Sequence, residues 1–360
     1  MSLNYLEAQG FRNIQQLGIE PSPTVNLIYG NNASGKTSLL ETIYYLAHGR
    51  SFLTNKIKEV MNVDADRMHI FSKIQSDQNR IIPAGILHDR EKMLIKLDGE
   101  KINKLSELAK QLPVIALHPE SHQLVSGGPK ERRQFIDWGL FHVEQSFYQI
   151  WQRYQKALKQ RNAALRTKQP AKTFHVWDQQ IIQAAEIIDQ QRKQYIESLQ
   201  ALVSQYQPLL FDDKEIVIDY YRGWNRENDL SVVLQQSLKT DQERGFTHAG
   251  PHRADLRFKI NGLNAETAVS RGQQKTLVVL LRLLQGLLFN QATEKSSVIL
   301  FDDLPAELDI SHRQKILKMM SNLPAQLFIT SIEKNAVDLS LWSEQKMFHV
   351  EHGCVSEQTE

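Results

Sequence analysis

Eight consecutive residues near the start of the chain match the pattern of a phosphate-binding loop. The segment 30–37 reads G-N-N-A-S-G-K-T and fits G-x-x-x-x-G-K-[ST] at every defined position. Glycines let the backbone turn so that several N–H groups face one anion, and a following helix adds its positive end. The residues expected at the nucleotide are Gly30, Asn31, Asn32, Ala33, Ser34, Gly35, Lys36, Thr37 and Ser38.

The elements around this loop fit the motif. The apolar run "TVNLIYG" before it predicts a strand, and the helical spacing of apolar residues after Lys36 predicts a helix. Lys36 is expected to meet the β- and γ-phosphates, and the Thr37 hydroxyl to hold Mg²⁺. A chance glycine-rich turn before a helix is the less favoured interpretation. The motif indicates a nucleoside triphosphate with magnesium and nothing more, since kinases, transporters and motors all use it.

A second candidate element lies far along the chain, in "VILFDDLPAELD" at 298–309. The apolar run predicts a buried parallel strand with Asp302 at its carboxyl end, where ligands bind in such sheets. Asp302 is expected to serve the magnesium, and Asp303 to act as general base on the attacking water. The alternative is a strand followed by a solvated acidic turn, which the phosphate loop makes less favoured.

The long separation of Lys36 and Asp302 is typical of a split site with an insertion, as in the ABC-type ATPase superfamily. That superfamily predicts one more element, a serine-glycine turn at the start of a helix, upstream of the acidic strand. Ser270, Gly272 and Gln273 stand before the long apolar stretch and are expected to meet the γ-phosphate bound by another copy of the chain. An ordinary serine N-cap without a ligand is the alternative.

Periodicity predicts an α/β fold with two parts. Strand patterns dominate before residue 120, and strand and helix patterns alternate again after "THAGPHRADLRF". Between them, heptad-like apolar spacing predicts an antiparallel helical hairpin at 145–206, with its turn at "TKQPAKT". We therefore expect a discontinuous ATPase head at 1–120 and 245–360, and an inserted, mostly helical lobe at 121–244.

The bulk properties set limits. The 360 residues carry a formal net charge of only +2, so any nucleic-acid surface must be a local patch. The single cysteine, Cys354, excludes an internal disulfide and predicts an incidental thiol in a loose tail. The N-terminus lacks a signal-peptide layout, and "TLVVLLRLLQGLLF" is too short to span a bilayer, so a cytoplasmic protein without a membrane partner is expected.

A basic segment is the candidate DNA surface. Between residues 145 and 177 there is no Asp or Glu, and a helix there would present a positive face able to neutralise phosphates. An ordinary solvated helix face is an equally weighted alternative. Arg132 and Arg133 rank lower because they suit structural ion pairs, and His248 and His252 suit a structural role better than a metal site. The candidate DNA contacts are Arg153, Lys156, Lys159, Arg161 and Arg166.

The chain resembles the RecF family of bacterial recombination mediators, which are related to the ATPase heads of Rad50 and SMC proteins. The resemblance runs over nearly the whole chain. Its most specific segments are "GGPKERRQFIDWG" at 127–139 and "THAGPHRADL" at 247–256. It also includes "GFRNI" (10–14), "HGRSF" (48–52), "HPE" (118–120), "LKQRNAALR" (158–166), "SRGQQK" (270–275) and "DDLPAELD" (302–309).

The resemblance implies an ABC-type head with a second lobe and an ATP-dependent homodimer. It implies DNA binding, slow DNA-stimulated ATP hydrolysis, and a role with RecO and RecR in loading the recombinase at gapped DNA, in the SOS response and in replication restart. By the same resemblance, Arg12 and Asn13 would lie near the nucleotide and "HPE" would link the γ-phosphate to the lobe. Asp309 would belong to the turn that crosses the dimer interface. Thr330 would occupy the position where many ABC ATPases have a histidine that senses the γ-phosphate.

Two departures from the wider superfamily bear on activity. The transporter pattern L-S-G-G-Q is replaced by S-R-G-Q, and the catalytic glutamate position holds the shorter Asp303. The first departure argues against a transporter-type ATPase, and the second suggests slow hydrolysis suited to a switch. A small-molecule kinase with a P-loop would not need Ser270 from a second chain. A nucleotide-gated assembly module with negligible catalysis stays open, since only Asp303 argues against it.

Overall fold

The computed structural model describes residues 1–77 and 79–358. Its chain divides into two compact units, which we call the head (Met1–Ser121 and Lys275–Glu360) and the lobe (His122–Gln274). The first boundary lies one residue from the expected one. The second lies at Lys275 and not at 245, so the expected extent of the lobe was too short.

The first part of the head is rich in strands around one long helix, as the sequence predicts. Its elements are β1 (Ser2–Phe11), β2 (Ile14–Ile19), β3 (Val25–Tyr29), α1 (Lys36–His48), α2 (Ile57–Val60), β4 (Arg67–Gln75), β5 (Ile81–Asp89), β6 (Met93–Leu97), β7 (Glu100–Ile102), α3 (Leu105–Gln111) and β8 (Val114–Leu117). An antiparallel sheet in the order β2-β1-β4-β5-β6-β7 uses most of these strands.

The lobe is mainly helical but also contains a small sheet. Its elements are α4 (Gln123–Ser126), α5 (Pro129–Val143), α6 (Phe147–Arg166), α7 (His175–Phe211), β9 (Ile216–Tyr221), α8 (Leu230–Arg244), β10 (Asp255–Ile260), β11 (Leu263–Asn264) and α9 (Ala265–Ala268). Strand β10 pairs antiparallel with β9 along its whole length, and Arg132 Nε lies 2.7 Å from Asp255 Oδ1. These contacts hold residues after 245 in the lobe and explain the later boundary.

The head resumes within a long apolar helix. The remaining elements are α10 (Arg271–Thr293), β12 (Ser297–Phe301), α11 (Leu304–Glu307), α12 (Ile310–Ser321), β13 (Ala325–Ser331), β14 (Gln345–Glu351) and β15 (Cys354–Gln358). The second sheet of the head has the order β15-β14-β3-β13-β12-β8, and all its neighbours are parallel except β14 and β15. A parallel sheet with crossover helices was expected here.

Helix α1 forms the centre of the head core. Its Leu39, Leu40 and Ile43 are buried in one cluster with residues from both sheets, such as Ile70 of β4 and Phe328 of β13. The antiparallel strands alternate buried and exposed residues, so each gives one face to this cluster. The helix that follows the phosphate loop is therefore packed between two sheets, and this packing fixes the end of the loop that leads into the helix.

The C-terminal segment is not a loose tail. Residues 345–358 form the hairpin β14–β15, and β14 pairs in parallel with β3, the strand that leads into the phosphate loop. Cys354 is exposed at the start of β15 rather than in an irregular end. The sequence suggested a tail because the strand is short and polar, and such edge strands owe their position to pairing with a neighbour.

Helices α6 and α7 form the expected antiparallel hairpin, but one predicted DNA contact lies inside it. The Arg161 side chain is fully buried, and its guanidinium lies 2.7 Å from Asp178 Oδ1 and 2.7 Å from Asp241 Oδ2. Its Nη1 also donates to Thr247 Oγ1 at 2.8 Å. Arg161 was thus a wrong candidate for DNA contact, because the acids that neutralise it come from α7 and α8, outside the acid-free segment.

The two histidines of "THAGPHRADL" make hydrogen bonds within the lobe. His248 Nδ1 lies 2.5 Å from Asp241 Oδ1. His252 Nδ1 lies 2.5 Å from the Tyr154 hydroxyl, and its Nε2 lies 3.0 Å from Thr247 O. Burial lowers the pKa of His252 to about 4, so the ring is neutral and can accept from Tyr154. This motif therefore ties the loop after α8 to α6.

One helix in the described ranges, Arg271–Thr293, is long and apolar enough to cross a membrane by length and composition alone. Of its most apolar window, 67% is buried inside the protein, as in the core helix of a soluble protein, so the length criterion is weak evidence here.

Replacing Arg161 tests the buried ion network of the lobe. Arg161→Met should lower the free energy of unfolding by about 3–5 kcal/mol, because it leaves the fully buried Asp241 carboxylate without its cation. Arg153→Met on the exposed side of the same helix should change it by less than about 0.5 kcal/mol. Denaturant unfolding followed by circular dichroism measures both. Equal effects of the two substitutions would contradict the assignment.

Candidate nucleotide-binding and hydrolysis site

The phosphate loop has the backbone that the motif requires. Gly30 and Gly35 have φ of 151° and 119°, and Ala33 has φ of 60°. A Cβ on Gly30 would lie 2.2 Å from Val350 O, so only glycine fits beside β14. Asn31, Asn32 and Ala33 are exposed at the tip, and Ser34 is buried beneath them. The loop thus has the tight, glycine-dependent turn at the start of α1 that an anion site needs.

Lys36 is buried at the base of this loop. Its Nζ donates to the carbonyls of Gly30 and Asn31 at 2.8 Å each. Burial lowers the pKa of Lys36, while the nearby carboxylates of Asp303 and Asp302 act in the opposite direction. The ammonium group therefore lies between the loop and the acidic pair, in position to meet phosphate oxygens.

The acidic strand brings Asp302 to the loop across most of the sequence. In the parallel sheet β13 lies between β3 and β12, so the carboxyl ends of all three strands meet at one edge. The Thr37 hydroxyl lies 3.0 Å from both carboxylate oxygens of Asp302. Burial raises the pKa of Asp302, while hydrogen bonds from Thr330 and Thr37 oppose the rise. A buried carboxylate beside a hydroxyl fits the expected magnesium site.

The hydroxyl and the carboxylate at this edge are oxygen donors, which are compatible with magnesium. In the described residues there is no group of three or more His, Cys, Asp or Glu side chains that could hold a metal. Magnesium needs few protein ligands, since it keeps several waters and uses phosphate oxygens of its substrate. Thr37 and Asp302 would hold the ion, which when bound would neutralise phosphate charge.

Thr330 has a different role from the expected one. Its side chain is fully buried, its hydroxyl donates to Asp302 Oδ1 at 2.8 Å, and it accepts from the Asp303 N–H at 2.7 Å. Both hydrogen-bonding functions of the hydroxyl are therefore used within the protein. Thr330 fixes the two acids in place, whereas the resemblance suggested a direct contact with the γ-phosphate.

Asp303 is held in an uncommon backbone conformation. Its φ is 54° and ψ is 49°, the left-handed region, at the start of α11. A non-glycine residue there costs free energy that its surroundings must supply, and such residues cluster at functional sites. The side chain is half-exposed next to the buried Asp302. This geometry is compatible with a carboxylate that accepts a proton from water.

A cavity of about 700 Å³ opens beside the loop. Arg12 and Asn13 line it together with Gly35, Lys36, Thr37 and Ser38, and the Arg12 guanidinium is held by Glu41 at 2.8 Å. The other wall lies between residues 58 and 64, at the end of α2 and just after it, and Val63 there is 92% exposed. Sequence reasoning missed this wall, because no motif marks these residues. Long-range contacts bring them here: Phe11 pairs with Met61, and the N–H of Arg12 donates to Val60 O at 2.7 Å.

Two family segments meet next to the acidic pair. Phe52 of "HGRSF" stacks on His118 of "HPE", with ring centroids 4.8 Å apart, and Tyr44 of α1 contacts Phe52 edge-on. His118 follows β8, and the N–H of Asp302 donates to Leu117 O at 2.8 Å. The "HPE" segment thus begins beside the acidic strand and is coupled by stacking to the helix of the phosphate loop.

The C-terminal hairpin braces the phosphate loop, a role that the sequence did not indicate. The Gly353 N–H in its turn donates to Ser34 O at 2.8 Å. Gly353 has φ of 76°, and a Cβ there would lie 2.1 Å from Asn13 O. One residue therefore contacts both the phosphate loop and the "GFRNI" turn. The only sequence signal was the dipeptide His-Gly between two short apolar runs, which is a weak turn signal.

Ser270 and Gln273 form a reciprocal cap on α10. The N–H of Gln273 donates to Ser270 Oγ at 3.3 Å, and the N–H of Ser270 donates to Gln273 Oε1 at 3.3 Å. Ser270 and Gly272 are exposed. The serine N-cap that was the alternative interpretation is therefore present. The first turn of this long helix is exposed to solvent. Ser270, Gly272 and Gln273 belong to the lobe.

Three of the candidate DNA contacts lie around one cavity on the lobe. Lys156, Lys159 and Arg166 line an open cavity of about 510 Å³ on α6, with Asn162 between them. A Cβ on Gly245 would lie 3.0 Å from Arg166 Cγ, so this glycine lets the arginine pack at the carboxyl end of α8. Arg153 is exposed on the same helix outside the cavity.

Comparisons with known proteins place the chain among related sequences. The family described as the RecF/RecN/SMC N-terminal domain matches residues 2–356. The DNA replication and repair protein RecF of Shewanella piezotolerans is 42% identical over 99% of both chains, and that of Thioalkalivibrio sulfidiphilus is 40% identical over 98% of both.

Solved structures give the same result. A structure of the recombination mediator protein RecF with ATP in the RecFOR pathway has a TM-score of 0.89 and 26% identity over 99% of this chain and 98% of that one. An Smc head has a TM-score of 0.62 at 13% identity over 99% and 97%, which shows the fold alone.

The fold and the site define an ATPase head of the SMC type with an inserted lobe. Within that class, the chain belongs to the RecF family.

Replacing Gly353 tests the brace on the phosphate loop. Gly353→Ala should weaken ATP binding about tenfold, because the new Cβ would displace the Asn13 turn and the Ser34 contact, at a strain of roughly 1–3 kcal/mol. Isothermal titration with ATP and magnesium measures the affinity. Gly99→Ala is the matched control, since Gly99 has a similar φ of 83° but nothing within 4 Å of its Cβ position. Equal losses in the two variants would refute the brace.

Proposed function

We propose that this chain is an ATP-switched DNA-binding protein that acts in recombinational repair of gapped DNA, replication restart and SOS induction. The observation that carries the proposal is the hydrogen-bonded set of Thr37, Asp302 and Thr330 next to Lys36, in a chain 42% identical to a DNA replication and repair protein RecF. A site of this kind serves ATP, and the names of the relatives connect it to DNA repair.

Magnesium and slow hydrolysis are the finer parts of the proposal. Lys36 would bind the β- and γ-phosphates, Thr37 and Asp302 would hold Mg²⁺, and Asp303 would take the proton of the attacking water. Supporting a slow rate, Asp303 is one methylene shorter than glutamate, and Thr330 fixes its backbone by the bond to the Asp303 N–H. Hydrolysis would then work as a timer for the ATP-bound state, with DNA accelerating it.

Dimerisation is proposed to complete the site. Ser270, Gly272 and Gln273 would meet the γ-phosphate bound by the partner copy, and Asp309 would lie at the interface. In support, the first turn of α10 is exposed although it carries the capping box. A helix N-terminus of this length offers N–H groups and a positive dipole end to a phosphate.

DNA is proposed to bind the basic side of α6 through Arg153, Lys156, Lys159 and Arg166. These four residues are exposed, and three of them surround one cavity. Cations of this kind bind phosphates of single-stranded, double-stranded or gapped DNA without reading sequence. RecR and RecO are proposed as partners, because a similar solved structure is that of a RecF protein of the RecFOR pathway.

A nucleotide-gated assembly module without catalysis is the second candidate function. It uses the same loop and the same dimer but leaves Asp303 without a chemical task. The left-handed backbone of Asp303 favours the hydrolytic candidate, because strain at one acidic residue is retained most readily where that residue acts.

The mass of the protein in solution tests the switch. ATP with magnesium should double the molar mass from 41.5 kDa, and Asp303→Asn should hold the dimer because it binds ATP without hydrolysing it. Multi-angle light scattering after gel filtration measures the mass. Ser270→Arg is the control, since it should bind ATP normally but stay monomeric. A monomeric wild type at saturating ATP would refute the composite site.

The salt dependence of DNA affinity tests the basic surface. The combined change Lys156→Gln, Lys159→Gln and Arg166→Gln should weaken binding to oligonucleotides of any sequence. It should also lower the slope of log affinity against log salt by about 0.9 for each phosphate that the variant no longer neutralises. Fluorescence anisotropy measures both quantities. The matched control neutralises three exposed head lysines, Lys92, Lys104 and Lys110, and should leave the slope unchanged. The same weakening in both variants would place DNA elsewhere.

A further inference from the structure

The antiparallel sheet of the head has a second face that no part of the proposed function uses. Residues such as Ile70, Ala84 and Ile86 point into the core cluster, so their neighbours along each strand point the other way. The strand register arranges those outward residues in three rows. The rows are Gln9-His69-Leu87-Leu94, Glu7-Phe71-Gly85-Lys96-Lys101 and Tyr5-Lys73-Pro83.

An apolar hollow lies in the middle of this outer face. Its volume is about 240 Å³, and its apolar walls are Phe71, Pro83, Leu87 and Leu94. Gly85 lines it without a side chain; a Cβ there would lie 3.2 Å from Ile70 O and 3.7 Å from the Phe71 ring. The hollow is smaller than the roughly 300–1,000 Å³ typical of drug-sized ligands, so it suits one large side chain.

The rim of the hollow is positively charged. Lys96 borders it directly, Lys101 follows Lys96 in the same row, and Lys73 stands in the adjacent row. The acid in the three rows is Glu7, whose carboxylate lies 3.9 Å from His69 Nδ1. Asp98 in the β6–β7 turn is paired with Arg80. An acidic partner would therefore meet a net positive surface around an apolar centre.

We propose that this outer face docks an acidic segment of a partner protein that inserts one large apolar side chain into the hollow between Phe71 and Leu94. An apolar anchor in a pocket with a charged rim is the usual anatomy of a small protein interface. A nucleobase fits less well, because the apolar walls would leave the polar edge of a buried base without hydrogen-bond partners.

A synthetic peptide tests the docking site. The probe is a short fluorescein-labelled peptide of aspartates around one phenylalanine, compared with the same peptide carrying alanine there and with an oligothymidylate of similar charge. Fluorescence anisotropy with the full-length protein should show binding of the first peptide only. Leu94→Ser should weaken it about tenfold by removing apolar area, and Lys96→Glu about fivefold by reversing a rim charge.

Control variants separate this inference from misfolding and from general charge. Lys110→Glu makes the same charge change on α3 and should leave the peptide affinity unchanged. ATP affinity should be unchanged in all three variants, since the hollow lies outside the nucleotide cavity. Binding of the oligothymidylate in place of the peptide, no binding of either, or equal effects of Lys110→Glu and Lys96→Glu would overturn the proposal.

Discussion

The nucleotide site depends on one buried carboxylate, that of Asp302, and on the groups that compensate its charge. Placing an anion in the protein interior is costly unless hydrogen bonds and cations compensate. Thr37 from the phosphate loop and Thr330 from the neighbouring strand supply the hydrogen bonds, and Lys36 supplies a nearby positive charge. The parallel sheet makes this possible, because its strand order brings residues separated by most of the chain to one edge.

Three packed or hydrogen-bonded elements of the head support that edge. Helix α1 is packed between two sheets, the turn of the C-terminal hairpin is hydrogen-bonded to the phosphate loop, and Phe52 stacks on His118 beside the acidic strand. A site held this way has little freedom to rearrange, which favours recognition of one phosphate geometry.

In the lobe, the charge of one sequence segment was a poor guide to whether a basic side chain is exposed. Arg161 stands in a stretch without any acidic residue, so its local sequence indicated no partner and suggested an exposed cation. In the fold, Asp178 and Asp241 reach it from two other helices and the side chain becomes fully buried. Its neighbours Lys156, Lys159 and Arg166 stay exposed because they lie on the opposite side of the same helix.

The sequence by itself determined the phosphate loop, the acidic strand, the helical hairpin and the capping serine, because each depends on local residue types and spacing. Only the tertiary structure decided the lobe boundary, the role of Thr330, the wall at 58–64 and the brace at Gly353. These features depend on strand pairing between distant segments, as in β9 with β10 or β3 with β14. A short polar strand or a single glycine carries no local signal of its partner, so its position follows from the assembled sheets.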